Sequence, residues 1–252
     1  MKHDCAVIIT IALLGCGGGG DGDPDPVSRD NGDLVVRWPA VTNPDFEIVR
    51  DAFRSSGAFE AIANTINSQL ALPRDLSLEH RECGTVNAFY SPSDSAIFMC
   101  YEMYLYILSI LQPIATTTEE LVTLLDGTWY FILFHEFGHA LYDFYDLPAI
   151  GSEEDAVDEM ATLVLIEGHL EQYAVAGALF WAAADSGMYS LMQYADVHSL
   201  NPQRFFNILC LVYGSDPAAN SELAQLFPSR DCQSEFRDKS ATWDELLADW
   251  RL

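Results

Sequence analysis

Residues 129–141 read Trp-Tyr-Phe-Ile-Leu-Phe-His-Glu-Phe-Gly-His-Ala-Leu, an apolar run interrupted by His135, Glu136 and His139. A long apolar run without proline reads as a buried helix. Polar groups inside such a helix are costly unless something pairs with them. On a helix His135 and His139 lie one turn apart, about 40 degrees in azimuth and about 6 Å along the axis, so both imidazoles reach one ion from the same face. Glu136 stands beside them, close enough to act on a water without being a ligand itself. Any fold this chain adopts must bury the helix and still bring further donors and solvent to its histidine face.

Two histidines do not close a catalytic metal site, which normally has three protein ligands and an open position. Tyr142 and Tyr145 stand where an extended HExxHxxGxxH motif would place glycine and a third histidine, so the remaining ligand comes from farther along. The stretch 147–151, Leu-Pro-Ala-Ile-Gly, can turn the chain back, and Ser152 then offers an N-cap with Glu153, Glu154 and Asp155 in the first helical turn. Glu154 and Asp158 share one face of this second helix, as do Asp155 and Glu159. The residues alone leave Glu153, Glu154 and Asp155 as rivals for the third ligand. Asp143, one turn beyond His139, reads as a solvated carboxylate near the helix end, with support of a metal ligand as the rival reading.

HExxH is the zincin metallopeptidase motif, and HExxH followed by a second helix bearing ExxxD resembles the gluzincin branch. That resemblance implies Zn2+ held by His135, His139 and Glu154, with Asp158 orienting His135 through its other ring nitrogen. It also implies that Glu136 takes a proton from a zinc-activated water and returns one to the leaving amine of a peptide or protein substrate. The chain further resembles a bacterial family described as metallopeptidases on the strength of the zinc motif. The resemblance is carried by Cys83-Gly84, Asn87-Ala88-Phe89-Tyr90, Cys100-Tyr101-Glu102, HEFGHAL at 135–141, the acidic run after Gly151, His198 and Gln203-Arg204-Phe205-Phe206-Asn207. It covers most of residues 72–217 and names no substrate.

Weaker candidates lie outside the motif. His198, in the loop-like stretch 196–202, could donate to the oxyanion of a tetrahedral intermediate, and reads equally well as a structural histidine. Arg204 reads as the partner of a carboxylate of the protein, with binding of a substrate carboxylate as the rival reading. His80 and His169 show no ligand spacing and read as surface residues. Tyr101, Tyr104, Leu105 and Leu108 read as core.

The charge balance excludes one class of partner. With 12 basic against 38 acidic residues the net charge is -26, which repels phosphate backbones, so nucleic acid is not an expected partner. Lys2 and the apolar stretch 6–14, too short to span a bilayer, read as a signal peptide over 1–15. Leu13-Leu14-Gly15-Cys16 resembles a bacterial lipobox, implying acylation of Cys16 and a lipid anchor in the cell envelope. Residues 16–33, rich in Gly, Asp and Pro, read as its tether. Cys83, Cys100, Cys210 and Cys232 remain, an even number in a chain bound for an oxidising compartment. Of the three connectivities, Cys83 with Cys100 and Cys210 with Cys232 close the short local loops.

With 252 residues, half of them hydrophobic, one metallopeptidase domain over 34–252 is expected. The spacing predicts a helix over 45–70 broken near Gly57, a hairpin about Ser91-Pro92-Ser93-Asp94, and helices near 102–111, 119–145, 153–184, 187–195, 202–213 and 242–250. The expected fold is therefore α+β, mainly α: a zincin-like body whose small antiparallel sheet packs against the HExxH helix and a second ligand-bearing helix. Two other readings compete: a surface-anchored metal-binding or scaffold protein without turnover, and an amidase acting on cell-wall or small-molecule amides.

Overall fold

The computed structural model describes residues 26–148, 151–185 and 200–252. The expected signal peptide, Cys16, the helix near 187–195 and His198 lie outside the described residues.

Secondary structure begins with a short helix α1 (Pro26–Arg29), strand β1 (Leu34–Arg37) and helices α2 (Pro44–Ser56) and α3 (Ala58–Asn67). Gly57 separates α2 from α3 at φ 67, in the left-handed region that glycine enters without a Cβ penalty. The break expected near Gly57 is therefore there. The last residues of the expected tether belong to the folded body: the Asn31 N–H donates to the Leu72 carbonyl at 2.8 Å, and the Asp33 N–H donates to Asp75 Oδ1 at 3.0 Å.

Strands β2 (Leu76–Arg81), β3 (Ala88–Ser91) and β4 (Ala96–Cys100) complete a four-stranded sheet in the order β1-β2-β4-β3. β3 and β4 form the expected antiparallel hairpin, with Phe89 opposite Phe98. The other two pairings, β1 with β2 and β2 with β4, are parallel, so the sheet is mixed. The difference has a simple cause. Alternating side chains disclose a strand and its faces but not the direction of its neighbours. In β2 the inward positions are Leu76, Leu78 and His80, all fully buried. His80 is therefore a core residue and not a surface one; its place in that alternation sends it inward.

The remaining helices are α4 (Tyr101–Leu111), α5 (Thr118–Tyr145), α6 (Glu153–Glu167), α7 (Glu171–Ala184), α8 (Asn201–Ser215) and α9 (Cys232–Leu247). The α+β, mainly α architecture is as expected. The helix expected over 153–184 is two, because Gly168 ends α6 and His169 turns the chain at φ 56. His169 itself is exposed. The last helix starts earlier than expected, where Asp231 caps α9 by accepting the Ser234 N–H.

α5 is the central element and packs against α4, α6, α7, β3 and β4. Thr117 caps it by accepting the Glu120 N–H, and Glu119 and Glu120 sit in its first turn, where acidic groups favour the helix dipole. A continuous buried cluster runs from Leu34 to Leu247. Gly138, within HEFGH, sets the closeness of α6: a Cβ there would lie 2.8 Å from Val157 Cβ and 3.0 Å from Met160 Cε. The missing side chain lets the acidic first turn of α6 approach the histidine face of α5.

Both locally closed disulfides are formed, Cys83–Cys100 and Cys210–Cys232. The first pins the loop ahead of β3 to the end of β4, and the second ties α8 to α9. Such bonds belong to chains folded in an oxidising compartment, which fits an exported protein. Among the described residues no helix is long and apolar enough to cross a membrane.

Candidate metal centre

α5 presents His135 and His139 on one face, with ring centroids 5.0 Å apart, and α6 brings Glu154 between them. His135 Nε2 lies 3.2 Å from Glu154 Oε2, and His139 Nε2 lies 3.5 Å from Glu154 Oε1. The three residues offer one donor atom each within 4.8 Å of one another. Two imidazoles and a carboxylate converging in this way suit a divalent metal ion.

The outward ring nitrogens are occupied by carboxylates. His135 Nδ1 meets Asp158 Oδ1 at 2.8 Å and His139 Nδ1 meets Glu153 Oε1 at 2.7 Å. A carboxylate on one ring nitrogen fixes the tautomer and leaves Nε2 free to bind metal. Of the three rivals for third ligand, Glu154 alone stands between the histidines; Glu153 backs His139, and Asp155 faces a separate surface pocket with Arg230.

Asp158 is gripped from its far side by Arg204, which donates through Nε to Oδ2 at 2.6 Å and through Nη2 to Oδ1 at 2.7 Å. Both side chains are buried, with 5% of Arg204 and 6% of Asp158 exposed. The guanidinium also stacks on Trp181, 3.6 Å from the ring centroid. Arg204 thus pairs with a carboxylate, and that carboxylate is the partner of His135.

Glu136 is 8% exposed, and its Oε2 accepts the backbone N–H of Tyr90 on β3 at 2.9 Å. Farther along α5, Asp143 Oδ2 accepts from both the Tyr90 hydroxyl and Arg74 Nη2 at 2.5 Å. Asp143 is therefore an ion-paired residue of the cleft wall rather than a free helix-end carboxylate. Together β3, α5 and the start of α6 enclose an open cleft of about 610 Å³, with His135, Glu136, His139 and Glu154 on its floor and Phe89, Pro92, Tyr142 and Leu147 on its walls.

Electrostatics within the cleft follow from burial and neighbours. Burial pushes the Glu136 carboxyl above its usual range, partly offset by His135, His139 and the Tyr90 N–H. A raised carboxyl pKa suits a group that must take up and release a proton. For His135 burial acts downward, but the hydrogen bonds to Asp158 and Glu154 outweigh it and lift the imidazole to about 9 without metal. His139 is raised by Glu154 and Glu153 against the same opposition. Burial would push Asp158 up, yet the Arg204 charge and the His135 hydrogen bond hold it below the usual carboxylate range.

A second cluster, Cys83, Cys100 and Glu102, has a different explanation. Its cysteines are joined to each other, and Glu102 accepts the backbone N–H groups of Cys83 and Gly84. Sequence reasoning missed Glu153 as partner of His139, Arg204 as partner of Asp158 and Tyr90 as partner of Glu136. The first could have been sought, because a liganding histidine needs something on its second nitrogen; the backbone contact of Tyr90 left no signal in the side-chain pattern.

A helix bearing HExxH, packed beside a second helix that supplies a carboxylate to the same point, makes a candidate metal site of the kind a metallopeptidase uses. A family model described as "Putative metallopeptidase" matches residues 39–247, and the chain belongs to that family. No curated protein and no solved structure matches the chain. Family and site agree on a metal-dependent peptidase as the class.

Proposed function

We propose that this chain is an exported zinc metallopeptidase with a single catalytic domain over 34–252, hydrolysing peptide bonds with Glu136 as general base. The convergence of His135 Nε2, His139 Nε2 and the Glu154 carboxylate at the floor of an open cleft carries this reading. These three residues would hold the ion, which would supply Lewis acidity to lower the pKa of a water and polarise a peptide carbonyl. Asp158 and Glu153 keep the two imidazoles in the tautomer that presents Nε2 to the cleft. Tyr90 occupies Glu136 Oε2, so the proton is taken at Oε1 and passed from there to the leaving amine as the C–N bond breaks. β3 is an edge strand bordering the cleft, and an extended peptide could pair with its main chain at positions other than Tyr90, whose N–H is held by Glu136.

Export through a signal peptide and lipid anchoring at Cys16 belong to the same proposal, supported by the lipobox-like sequence and the two disulfides. The test is metal analysis of the purified protein together with digestion of a broad peptide library. About one zinc per chain is expected, with cleavage lost to a chelator and restored by zinc. Zinc binding with no cleavage of any peptide would favour a metal-binding protein without turnover, and failure to take up zinc would overturn the site itself. Mass spectrometry of the mature amino terminus, showing an acylated Cys16 or not, tests the anchor.

A further inference from the structure

Glu136 and Asp143 lie seven residues apart on α5, two helical turns, and so share one face about 10 Å apart along the axis. One residue from another element touches both. Tyr90 gives its backbone N–H to Glu136 Oε2 at 2.9 Å and its hydroxyl to Asp143 Oδ2 at 2.5 Å. Arg74 secures the far end: Nη2 donates to the same Asp143 oxygen, Nε donates to Ser95 Oγ at 3.0 Å, and the guanidinium lies 4.0 Å from the Phe144 ring centroid. Ser95 belongs to the turn between β3 and β4, so this chain of contacts runs from the metal helix to the hairpin and back.

From this geometry we propose that Tyr90 is the positioning residue for Glu136, with the Tyr90–Asp143–Arg74 bridge fixing β3 on α5 so that the Tyr90 N–H holds one carboxylate oxygen and leaves the other for the proton. The inference rests on the peptidase reading only for its kinetic readout. A carboxylate on a flexible side chain, 8% exposed at the floor of an open cleft, needs an external donor to fix its plane. Among the described residues Tyr90 supplies that hydrogen bond. β3 is an edge strand, hydrogen-bonded to the sheet on one side only. Without a tie to α5 its free edge would move relative to the metal helix, and a displacement of about 1 Å at a catalytic group can cost on the order of 100-fold in rate.

Two kinds of measurement test the proposal on the zinc-loaded protein. In the first, Tyr90→Phe deletes the hydroxyl but keeps the backbone N–H, and Asp143→Ala breaks the same bond from the other end. Each should lower kcat by about tenfold or more, while KM and zinc affinity stay within about twofold. Asp143→Asn, which keeps an acceptor for the phenol, should recover most of the loss. In the second, amide hydrogen exchange at residue 90 is followed independently of any substrate. Exchange there should speed up by about tenfold or more in Tyr90→Phe, Asp143→Ala and Glu136→Ala, with Ile97 and Met99 on β4 unchanged.

Exchange at residue 90 that is indifferent to Glu136→Ala and Tyr90→Phe would overturn the clamp even in an active enzyme. Loss of zinc affinity in step with kcat would also overturn it, because the bridge would then be holding up the fold and not the base. The expected exchange pattern in a parent protein that cleaves no peptide would uphold the clamp and sink the peptidase reading instead.

Discussion

Arg204 and Asp158 form a buried two-point ion pair whose shared oxygen also serves a histidine: Asp158 Oδ1 lies 2.7 Å from Arg204 Nη2 and 2.8 Å from His135 Nδ1. The pair joins α8 to α6 and, through His135, to α5. Its cost in desolvation is offset by charge-assisted hydrogen bonds at both carboxylate oxygens.

Breaking that pair from either side should have different consequences. Asp158→Asn keeps the shape but weakens the hold on His135, and zinc affinity or activity should fall about 10- to 100-fold, as read by zinc titration against a chelator. Arg204→Met strands a buried carboxylate, and denaturant unfolding should show a loss of about 3–5 kcal/mol. Equal zinc affinity in Asp158→Asn and the parent would mean that His135 is oriented by packing alone.

Ligand and base are separable by substitution at neighbouring positions. Glu136→Gln should retain zinc and fold normally, because the amide oxygen still accepts the Tyr90 N–H, yet lose about 100- to 10,000-fold in turnover for want of a proton acceptor. Glu154→Ala should lose zinc affinity outright. Glu153→Ala, which removes only the partner of His139 Nδ1, should fall between them, and Asp155→Ala should leave zinc binding as it was. Full zinc affinity in Glu154→Ala would remove it from the metal centre.

Zinc uptake should release protons, and the sign follows from the histidines. Without metal His135 is protonated below about 9, and His139 is raised above its usual value. Metal binds only the neutral imidazole, so the apparent affinity should climb with pH, by up to about tenfold per unit for each histidine still protonated, and level off above the His135 value. Competition with a chelator of known pH dependence between pH 6 and pH 8 measures the slope. A flat profile would mean that both imidazoles are already neutral in the metal-free protein.

How much of this centre the sequence disclosed depends on the range of each contact. HExxH is local: one helix carries His135, Glu136 and His139, and helical geometry puts them on one face. The acidic run after Gly151 announced a second helix, but the choice among Glu153, Glu154 and Asp155 turns on how far α6 is rotated as it packs over Gly138, a tertiary quantity. The alternation of Leu76, Leu78 and His80 with polar residues marks a strand without saying that its neighbours run parallel. Tyr90, Arg74 and Asp143 meet across 69 and 53 residues of chain, and the decisive atom at Tyr90 is a backbone nitrogen common to every residue except proline. Gly168 and His169 were hidden inside an otherwise continuous helical pattern, because the break depends on a left-handed φ at His169 that its residue type does not advertise.

His80 gives the sharpest stability prediction away from the metal. Its ring stacks on Trp38 at 4.6 Å and touches Phe59 at 4.2 Å, and both ring nitrogens are buried without a hydrogen-bond partner among the described residues. Its stacking partner Trp38 is itself satisfied, donating through Nε1 to Glu60 Oε1 at 2.8 Å. Burial lowers the imidazole pKa to about 3, against 6.5 in an unfolded chain. Between those values the unfolded state takes up a proton that the folded state refuses, so acid favours unfolding. The stability associated with neutral His80 is complete above about pH 6.5 and is lost progressively as the pH falls toward 3. At about 1.36 kcal/mol per pKa unit, the loss between pH 7 and pH 4 comes to about 3 kcal/mol. His80→Phe keeps an aromatic ring in the stack and removes the titrating group. It should be no less stable than the parent at pH 7, since it also removes two unpaired polar atoms from the core. On passing to pH 4 it should lose about 3 kcal/mol less than the parent. Urea unfolding of the two zinc-free proteins at both pH values makes the comparison, and equal losses would show that the acid sensitivity arises from other groups and that His80 finds a hydrogen-bond partner inside its aromatic box.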